Sequence, residues 1–269
     1  MKKNVVNILM VICLLAAVGC GGYLAHYYYN SSKSEKAVAE LRNMIVVKPD
    51  NGEGNGDSSP VQKKPEMVSV DGVLVQKKFE QLYSDNHDFV GWIRIGDTQI
   101  DYPVMYTPHD SEHGESYIHK DYEGNYSAAG LPFIDKSCKL SPATDNVIIY
   151  GHNMKSGKMF RDLLKFGDRE FCQTHKTFRF DTIYEDGLYE VVAAFYGEIL
   201  PDDSPAFKYY EFVNAGDQFE FDRFVQNVKR MSVVDTGVDV KYGDRLLTLS
   251  TCAYHVTDGR FAVVAKKVE

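Results

Sequence analysis

The first part of the chain lacks charge, because residues 4–32 contain no Asp, Glu, Lys or Arg. Within this stretch residues 5–25 are mostly apolar, and a helix of about 20 such residues is long enough to cross a bilayer core. Two lysines precede the apolar run, and Tyr27, Tyr28 and Tyr29 follow it, as aromatic residues do at a membrane interface. The pattern predicts a transmembrane signal-anchor over residues 1–32.

Two other interpretations of this stretch stay open. A cleaved signal peptide would have an apolar region of only about 7–15 residues and a small-residue cleavage site. A lipoprotein signal would be modified at Cys20, but Ala17 stands where a larger aliphatic residue is usual. The length of the apolar run and the tyrosines after it favour an uncleaved anchor.

Cysteine is scarce, which argues against a disulfide-rich fold. The chain has five cysteines, and Cys13 and Cys20 lie in the apolar stretch. Cys138 and Cys172 could pair in an oxidising space only if the fold brought their Cα atoms to within about 7 Å. Because free cysteines are most often small buried hydrophobic residues, we expect that state for both.

An excess of basic residues is also missing. The chain has 30 Lys and Arg against 38 Asp and Glu, which gives a formal net charge of −8. A nucleic-acid-binding protein presents a basic surface, so no nucleic-acid partner is expected. Hydrophobic residues make up 44% of the chain, which is enough for one sizeable domain with extensions.

Residues 33–66 divide into a juxtamembrane segment and a linker, and residues 48–66 lack the apolar residues that a core requires. Residues 35–47 could form a short helix beside the membrane, and residues 48–66 are rich in Gly, Pro, Asn and charge. Such a composition cannot bury a core and predicts a flexible linker. The folded domain is then expected to occupy residues 67–269.

The pattern of this domain is mainly β. Val73, Val75, Phe79, Leu82 and Phe89 are spaced for an amphipathic helix that ends near Asn86. Eight short apolar or alternating runs follow, most of them separated by turn residues, and this favours a β-barrel or sandwich over βαβ units. The runs are residues 92–95, 100–104, 131–134, 147–150, 178–183, 188–199, 245–251 and 260–268. Helical spacing interrupts them at residues 158–166 and 218–231.

Three side chains at the ends of strand-like runs have the chemistry of covalent acyl transfer. Cys252 ends one run, and Arg260 begins the next run eight residues later. His152 follows the apolar residues 147–150 in a turn beside Gly151. A reactive thiol needs a cation or base nearby, and a tetrahedral acyl intermediate needs a donor aimed at its oxyanion. A core thiol is the simpler state for Cys252, but its place at a strand end favours the reactive one.

Seven other histidines compete with His152 for an acid–base role. His255 is only three residues past Cys252, but it sits in a loop, and His26 lies at the membrane end. The others lie in polar stretches. Only His152 ends a strong apolar run with small neighbours, where a rigid scaffold presents a reactive side chain.

One histidine pair matches a metal motif and is rejected. His109, Glu112 and His113 have the H-x-x-E-H spacing of a group of zinc proteases. That chemistry requires both histidines on one helix face, whereas Pro108 and Gly114 bracket these residues as a loop. We therefore expect no metal site.

The candidate residues and their surroundings resemble the class B sortases, transpeptidases that attach proteins to Gram-positive cell walls. TLSTC at residues 248–252 with an Arg after it, and YGHN at residues 150–153, look like motifs of that family. FVGWIRI at residues 89–95 and IDYPV at residues 100–104 resemble the entry into the class B domain. The likeness covers roughly residues 74–269. It implies a mainly β fold: a closed barrel of about eight strands, an N-terminal helix and a helix between late strands.

The resemblance also implies an activity. Cys252 would attack the Thr carbonyl of a C-terminal sorting motif of the NPxTG type and form a thioacyl enzyme, releasing the chain from Gly onward. His152 would serve as acid and then as base, and Arg260 would hold the carbonyl oxygen. An amino group of a peptidoglycan precursor would then accept the protein. Neither a metal nor an organic cofactor is required, and the catalytic domain would lie outside the cell on a single-pass membrane anchor.

Further residues are expected to bind the substrate. The resemblance implies pocket positions for Tyr150, Ser250 and Thr251. Ile118, Tyr209 and Tyr210 are candidates for the wall of the groove, with core or surface roles as the alternative.

Two other functions stay open on the residues alone. Water could resolve the thioacyl enzyme, which would make the protein a cysteine endopeptidase. The chain could also be a surface-tethered binding module in which Cys252 is merely buried.

Overall fold

The structure is a computed structural model that describes residues 2–45, 64–109 and 114–268, apart from the side chains of residues 2–5, 8 and 23–34. Among these residues there are ten strands. They are β1 (Met67–Val70), β2 (Val73–Gln76), β3 (Phe89–Arg94), β4 (Asp101–Met105), β5 (Phe133–Ile134), β6 (Asn146–Tyr150), β7 (Thr177–Thr182), β8 (Leu188–Glu198), β9 (Leu246–Cys252) and β10 (Gly259–Lys267).

Eight of the strands form a closed barrel in the order β10-β8-β7-β3-β4-β5-β6-β9. Each corresponds to one of the eight apolar runs, so the predicted mainly β barrel is confirmed. The pairs are antiparallel except for β4 with β5 and β6 with β9, which are parallel. Closure leaves the barrel without an unpaired sheet edge.

The barrel has two hydrophobic clusters, one on each side of β10. Phe261, Val263 and Ala265 belong to the larger cluster, whereas Ala262 and Val264 belong to the smaller one. This alternation follows from the two-residue period of a strand. Because both faces of β10 are covered, its middle reads as a continuous apolar run in the sequence.

The described residues contain four α-helices, and one of them covers the outer face of β8 and β10. They are α1 (Lys2–Met44), α2 (Glu80–Asp85), α3 (Arg169–Thr174) and α4 (Gln218–Met231). The predicted helix at residues 218–231 is α4, which buries Phe221, Phe224 and Val228 in the smaller cluster. Residues 158–166 correspond largely to a 3-10 helix, Phe160–Gly167, rather than an α-helix.

The predicted amphipathic helix from Val73 to Asn86 is wrong over its first turn. Residues Val73–Gln76 form β2, which pairs antiparallel with β1. Asp71 and Gly72 form the turn between them, with φ of 48° and 84°. An Asp-Gly turn with positive φ at both positions is a preferred connection between two strands. Helix begins only at the 3-10 turn Lys77–Phe79 and continues in α2.

The N-terminal residues form one helix, α1, which ends at Met44, so residues 35–44 of the predicted helix over residues 35–47 are its last part, and residues 46 and 47 lie outside the described residues. Large apolar side chains in its first half are exposed, from 54% at Val6 to 67% at Leu14. No helix in the described part of the chain is both long and apolar enough to cross a membrane. The predicted transmembrane span therefore finds no support in the structure. Most of the predicted linker, residues 48–63, lies outside the described residues.

The last turns of α1 pack on the barrel. Val38 and Leu41 are each 8% exposed and belong to the larger cluster. The Arg42 guanidinium lies 2.9 Å from the Asp101 carboxylate on β4, and Glu35 pairs with Lys158. This helix therefore contacts the segment that follows His152.

Candidate active site

Cys252 and Arg260 are neighbours across the antiparallel pair of β9 and β10. Cys252 is the last residue of β9, and its Cα partner on β10 is Arg260. Directly opposed residues of such a pair have Cβ atoms about 4.5–5.5 Å apart on one face of the sheet. The eight-residue spacing in the sequence is thus the length of a strand connection that makes Cys252 and Arg260 direct neighbours across the ladder.

The loop between these two residues is tight. The Ala253 amide donates to the Gly259 carbonyl at 2.9 Å. A Cβ atom on Gly259 would lie 2.2 Å from the Ala253 carbonyl oxygen, so the close approach requires glycine. The Arg260 guanidinium donates to the carbonyls of Asp258 and Gly259, each at 3.1 Å. The same loop backbone therefore restrains the side chain of Arg260.

The turn that carries His152 is bonded to the end of β9. Parallel pairing of β6 with β9 ends at Tyr150, opposite Ser250. Two hydrogen bonds continue it: the Gly151 amide donates to the Ser250 carbonyl at 3.1 Å, and the Thr251 hydroxyl donates to the Gly151 carbonyl at 2.7 Å. Because both bonds are made by the backbone of one residue, Gly151, they place the next residue, His152, beside the strand end that carries Cys252.

The imidazole of His152 is held by a backbone acceptor. Its Nε2 lies 2.8 Å from the Ile118 carbonyl oxygen, and because a carbonyl only accepts, Nε2 donates. This leaves Nδ1 to exchange a proton. The His119 ring stacks on the His152 ring with centroids 5.4 Å apart. Burial lowers the pKa of His152, the Ile118 carbonyl acts in the opposite direction, and His119 adds to the lowering.

The residues expected to bind substrate lie close to Cys252 but differ in exposure. Ser250 and Thr251 are 1% and 2% exposed, and Tyr150 is half-buried with its hydroxyl 3.2 Å from Asp135. Tyr209 is also buried, and its hydroxyl lies 2.7 Å from the Ser250 hydroxyl. Burial raises the pKa of Tyr209 to about 12, so the phenol stays neutral and fixes the Ser250 hydroxyl by this hydrogen bond.

Tyr210 and Ile118 are half-buried. The Tyr210 ring packs edge-on against Tyr209 with centroids 5.3 Å apart, and its hydroxyl accepts from the Leu200 amide at 2.9 Å. Ile118 contacts His152 through its backbone carbonyl, and its place in the groove wall stays a prediction.

The other cysteines of the folded domain take no part in this arrangement. Cys138 and Cys172 are free and buried, so the expected unpaired state is confirmed. Burial raises the pKa of the Cys138 thiol to about 12. Of the rejected zinc motif, Glu112 and His113 lie outside the described residues. Elsewhere in the described ranges, no group of three or more His, Cys, Asp or Glu side chains could hold a metal ion.

Sequence reasoning missed two side chains of this site. His119 lies among polar residues, and nothing in its neighbourhood predicts that it stacks on His152. Asn153 follows His152 directly, and its side-chain amide donates to the Cys252 carbonyl at 2.7 Å. A signal for Asn153 was available in the GHN motif itself, because Asn is a side chain that bonds backbone groups.

Comparison with known proteins agrees with this geometry. The sortase-domain family model matches residues 93–268. Sortase B of Listeria monocytogenes is 38% identical over 180 residues, which cover 66% of this chain and 68% of that protein. A structure of sortase B from B. anthracis in complex with AAEK1 superposes with a TM-score of 0.71 at 28% identity, covering 90% of this chain and 99% of the other.

A Staphylococcus aureus sortase B–substrate complex superposes with a TM-score of 0.64 at 30% identity and covers 72% of this chain and 86% of that one. The matched region contains Cys252, Arg260 and His152. With its closed eight-stranded barrel and the helix between β8 and β9, the chain belongs to the sortase family, as a class B sortase and thus a cysteine transpeptidase for surface proteins.

Proposed function

We propose that this enzyme cleaves a C-terminal sorting motif of the NPxTG type between Thr and Gly and joins the protein to an amino group of a cell-wall peptide. The observation that carries the proposal is the position of Cys252 opposite Arg260, with the His152 turn hydrogen-bonded to the same strand end. A nucleophile, an acid–base group and an oxyanion donor are the three components that thiol-dependent acyl transfer needs.

In the first half-reaction the Cys252 thiol gives its proton to His152 as its sulfur attacks the Thr carbonyl carbon, and the carbonyl oxygen becomes an oxyanion. Arg260 donates hydrogen bonds to that oxyanion. The C–N bond breaks as protonated His152 gives its proton to the departing Gly amine. The products are a thioester on Cys252 and a peptide that begins with Gly.

In the second half-reaction the acceptor amine attacks the thioester carbonyl. Neutral His152 removes the proton from the attacking amine, and Arg260 again holds the oxyanion. The C–S bond then breaks, and the leaving sulfur takes the proton from His152, which regenerates the thiol and the neutral imidazole. One amide bond replaces another, so the reaction consumes no oxidant, metal or nucleotide.

The S. aureus relative is known in complex with a substrate, and a peptide substrate for this chain is proposed from the class B resemblance. The sorting motif comes from the class B resemblance, and Tyr150, Ser250 and Thr251 are proposed to contact it because they flank Cys252 and His152. Tyr209 contributes by fixing the Ser250 hydroxyl, whereas the half-buried Tyr210 and Ile118 can reach solvent at the groove wall.

Attachment to the outer face of the cell membrane through the N-terminus is also part of the proposal, and it rests on the sequence. Residues 4–32 contain no charged side chain, and residues 5–25 are mostly apolar, a length that suits the helix of about 20 residues needed to cross a bilayer core. Cell fractionation of the full chain tests this attachment. Recovery of the protein in the soluble fraction would contradict the proposed membrane anchor. The domain division at residues 32 and 66 is proposed with it.

The experiment that tests the activity uses peptides of the form NPxTG with and without an amine acceptor, followed by mass spectrometry. We expect a new amide at the Thr carbonyl when the amine is present. Hydrolysis alone at every amine concentration would identify an endopeptidase instead. No cleavage, together with a Cys252 thiol inert to alkylation, would contradict both activities.

A further inference from the structure

Asn153 connects the two segments that carry His152 and Cys252. Its side-chain Nδ2 donates to the Cys252 carbonyl at 2.7 Å, a contact between residues 99 positions apart in the chain. Asn153 is only 5% exposed. The bond is therefore shielded from water, where a hydrogen bond is stronger and its loss costs more.

A second side chain fixes the orientation of this amide. The Arg161 guanidinium donates to Asn153 Oδ1 at 3.2 Å. Because guanidinium only donates and a carbonyl only accepts, one orientation of the amide satisfies both partners and the flipped one satisfies neither. Arg161 thus directs the Nδ2 group at Cys252.

Asn153 is also bound from the far side of the nucleophile. The Tyr254 hydroxyl donates to the Asn153 carbonyl at 3.3 Å. Cys252 therefore contacts the side chain of Asn153, and Tyr254 contacts the backbone of Asn153. Regular pairing of β6 with β9 ends at Tyr150 and Ser250, so the backbone bonds between these two strands do not fix the position of Asn153.

We propose that Asn153 is a positioning residue that sets the separation of His152 and Cys252. The inference rests on the proposed function, because it assigns Asn153 to the reaction of those two residues. Asn153 does not touch the reacting atoms. Without its bond, the hydrogen bonds of Gly151 and the bond of the Tyr254 hydroxyl to the Asn153 carbonyl still join the His152 turn to the end of β9 and the loop after it. The separation of His152 and Cys252 is then less closely fixed, and a misplacement of about 1 Å can cost about 10²-fold in rate.

Asn146 is a matched control at the other end of the same strands. It is fully buried, its Nδ2 donates to the Phe212 carbonyl at 2.8 Å, and its Oδ1 accepts from Thr248 at 2.9 Å. Like Asn153 it forms one bond through each end of its amide, and one of them reaches β9. It differs in lying far from Cys252 along β6 and β9.

The experiment compares Asn153→Ala with Asn146→Ala in the full chain, measuring kcat, KM, Tm and the rate of Cys252 alkylation. For Asn153→Ala we expect kcat to fall about 10- to 100-fold with KM changed less than about threefold. Both variants should lower Tm by similar amounts, because each loses two side-chain amide hydrogen bonds. Asn146→Ala should change kcat by less than about threefold. Equal losses of kcat in the two variants would overturn the proposal.

Two further variants keep the test decisive if Asn153→Ala does not fold. Asn153→Asp has the same shape but cannot donate to the Cys252 carbonyl, so its kcat should fall as far as that of the Ala variant. Arg161→Ala keeps the Asn153 amide donor but removes the bond that orients it, so kcat should fall less than in the Asn153 variants. Full activity in Asn153→Asp would also overturn the proposal. Absence of transfer by the wild-type chain would instead contradict the proposed function.

Discussion

Arg260 lies directly opposite Cys252 in the ladder of β9 and β10, and the turn that joins the two strands restrains its guanidinium through two carbonyls. Arg260 therefore belongs to the strand that pairs with the strand of the nucleophile, and its side chain is held by the backbone of the adjoining loop. A preorganised donor needs no rearrangement when the oxyanion forms, which is the condition for a large electrostatic contribution.

This placement predicts the effect of changing Arg260. We expect Arg260→Ala to lower kcat about 10²- to 10³-fold, as removal of an oxyanion donor does. Arg260→Lys should recover only part of the loss, because an ammonium lacks the planar fork of donors. Steady-state kinetics on the NPxTG peptide measure both, and Arg245→Ala, at a salt bridge with Glu185, serves as the control. Turnover near the wild-type value in Arg260→Ala would show that another group holds the oxyanion.

The cysteines of the folded domain should differ in reactivity. Cys252 is half-buried, whereas Cys138 and Cys172 are buried and burial raises the pKa of both. We expect iodoacetamide to modify Cys252 in the folded protein and the other two only after unfolding. Peptide mapping by mass spectrometry measures this. Cys252→Ala should abolish transfer with little change in Tm, and modification of Cys138 in the folded chain would contradict the predicted order.

The stacking of His119 on His152 predicts a shift of the pH profile. Burial is the largest cause of the lowered pKa of His152, and His119 adds to it because two adjacent imidazolium ions repel each other. His119→Phe keeps a ring in the stack without a charge, so the pKa of His152 should rise. The limb of the pH–rate profile governed by His152 should then move to higher pH.

His175→Phe is the control for this change, because His175 also stacks on an aromatic ring, that of Phe171. NMR titration of the His152 ring gives the pKa directly. An unchanged His152 pKa in His119→Phe would mean that the neighbouring imidazole has no electrostatic effect.

A glycine supports the backbone acceptor of His152. Gly130 has a φ of +56°, and a Cβ atom there would lie 2.3 Å from the Ile118 carbonyl oxygen. Gly130→Ala should therefore displace the group that holds His152 and lower kcat by about tenfold or more. Gly124→Ala is the matched control, since its φ is +82° with no atom within 4 Å of the added Cβ. Both should lose about 1–2 kcal/mol of stability through positive φ, and only Gly130→Ala should lose activity beyond that.

The packing of α1 predicts that two truncations differ in stability. A chain that begins at Glu35 keeps Val38 and Leu41 on the barrel, and one that begins at Met67 exposes the surface they cover. Each buried side chain of this kind contributes about 1.5–3 kcal/mol at most. After the cost of ordering the helix we expect about 2 kcal/mol, which lowers Tm by about 4–8 °C in the shorter chain. Equal Tm values would show that the helix contributes nothing to the folded domain.

Local patterns carried much of the prediction of the fold. The eight barrel strands and α4 could be predicted because the spacing of apolar residues that marks a strand or a helix is visible within a short segment of the sequence. The same reasoning failed at residues 73–76, where spacing suited a helix and the Asp71–Gly72 turn instead made a hairpin. There the backbone preference of two residues outweighed the apolar spacing of the next four.

The sequence by itself determined that the chain has a thiol, an imidazole and a guanidinium at strand ends, and that the domain is mainly β, with a barrel and a sandwich both open on the pattern of its runs. Only the tertiary structure decided how these groups meet. The pairing of β6 with β9, the Ile118 carbonyl on His152 and the Asn153 amide on Cys252 join segments that are 34 to about 100 residues apart. Such contacts depend on register and on a single backbone atom. They leave no periodic trace in the residues that form them, because a backbone carbonyl is the same for every side chain.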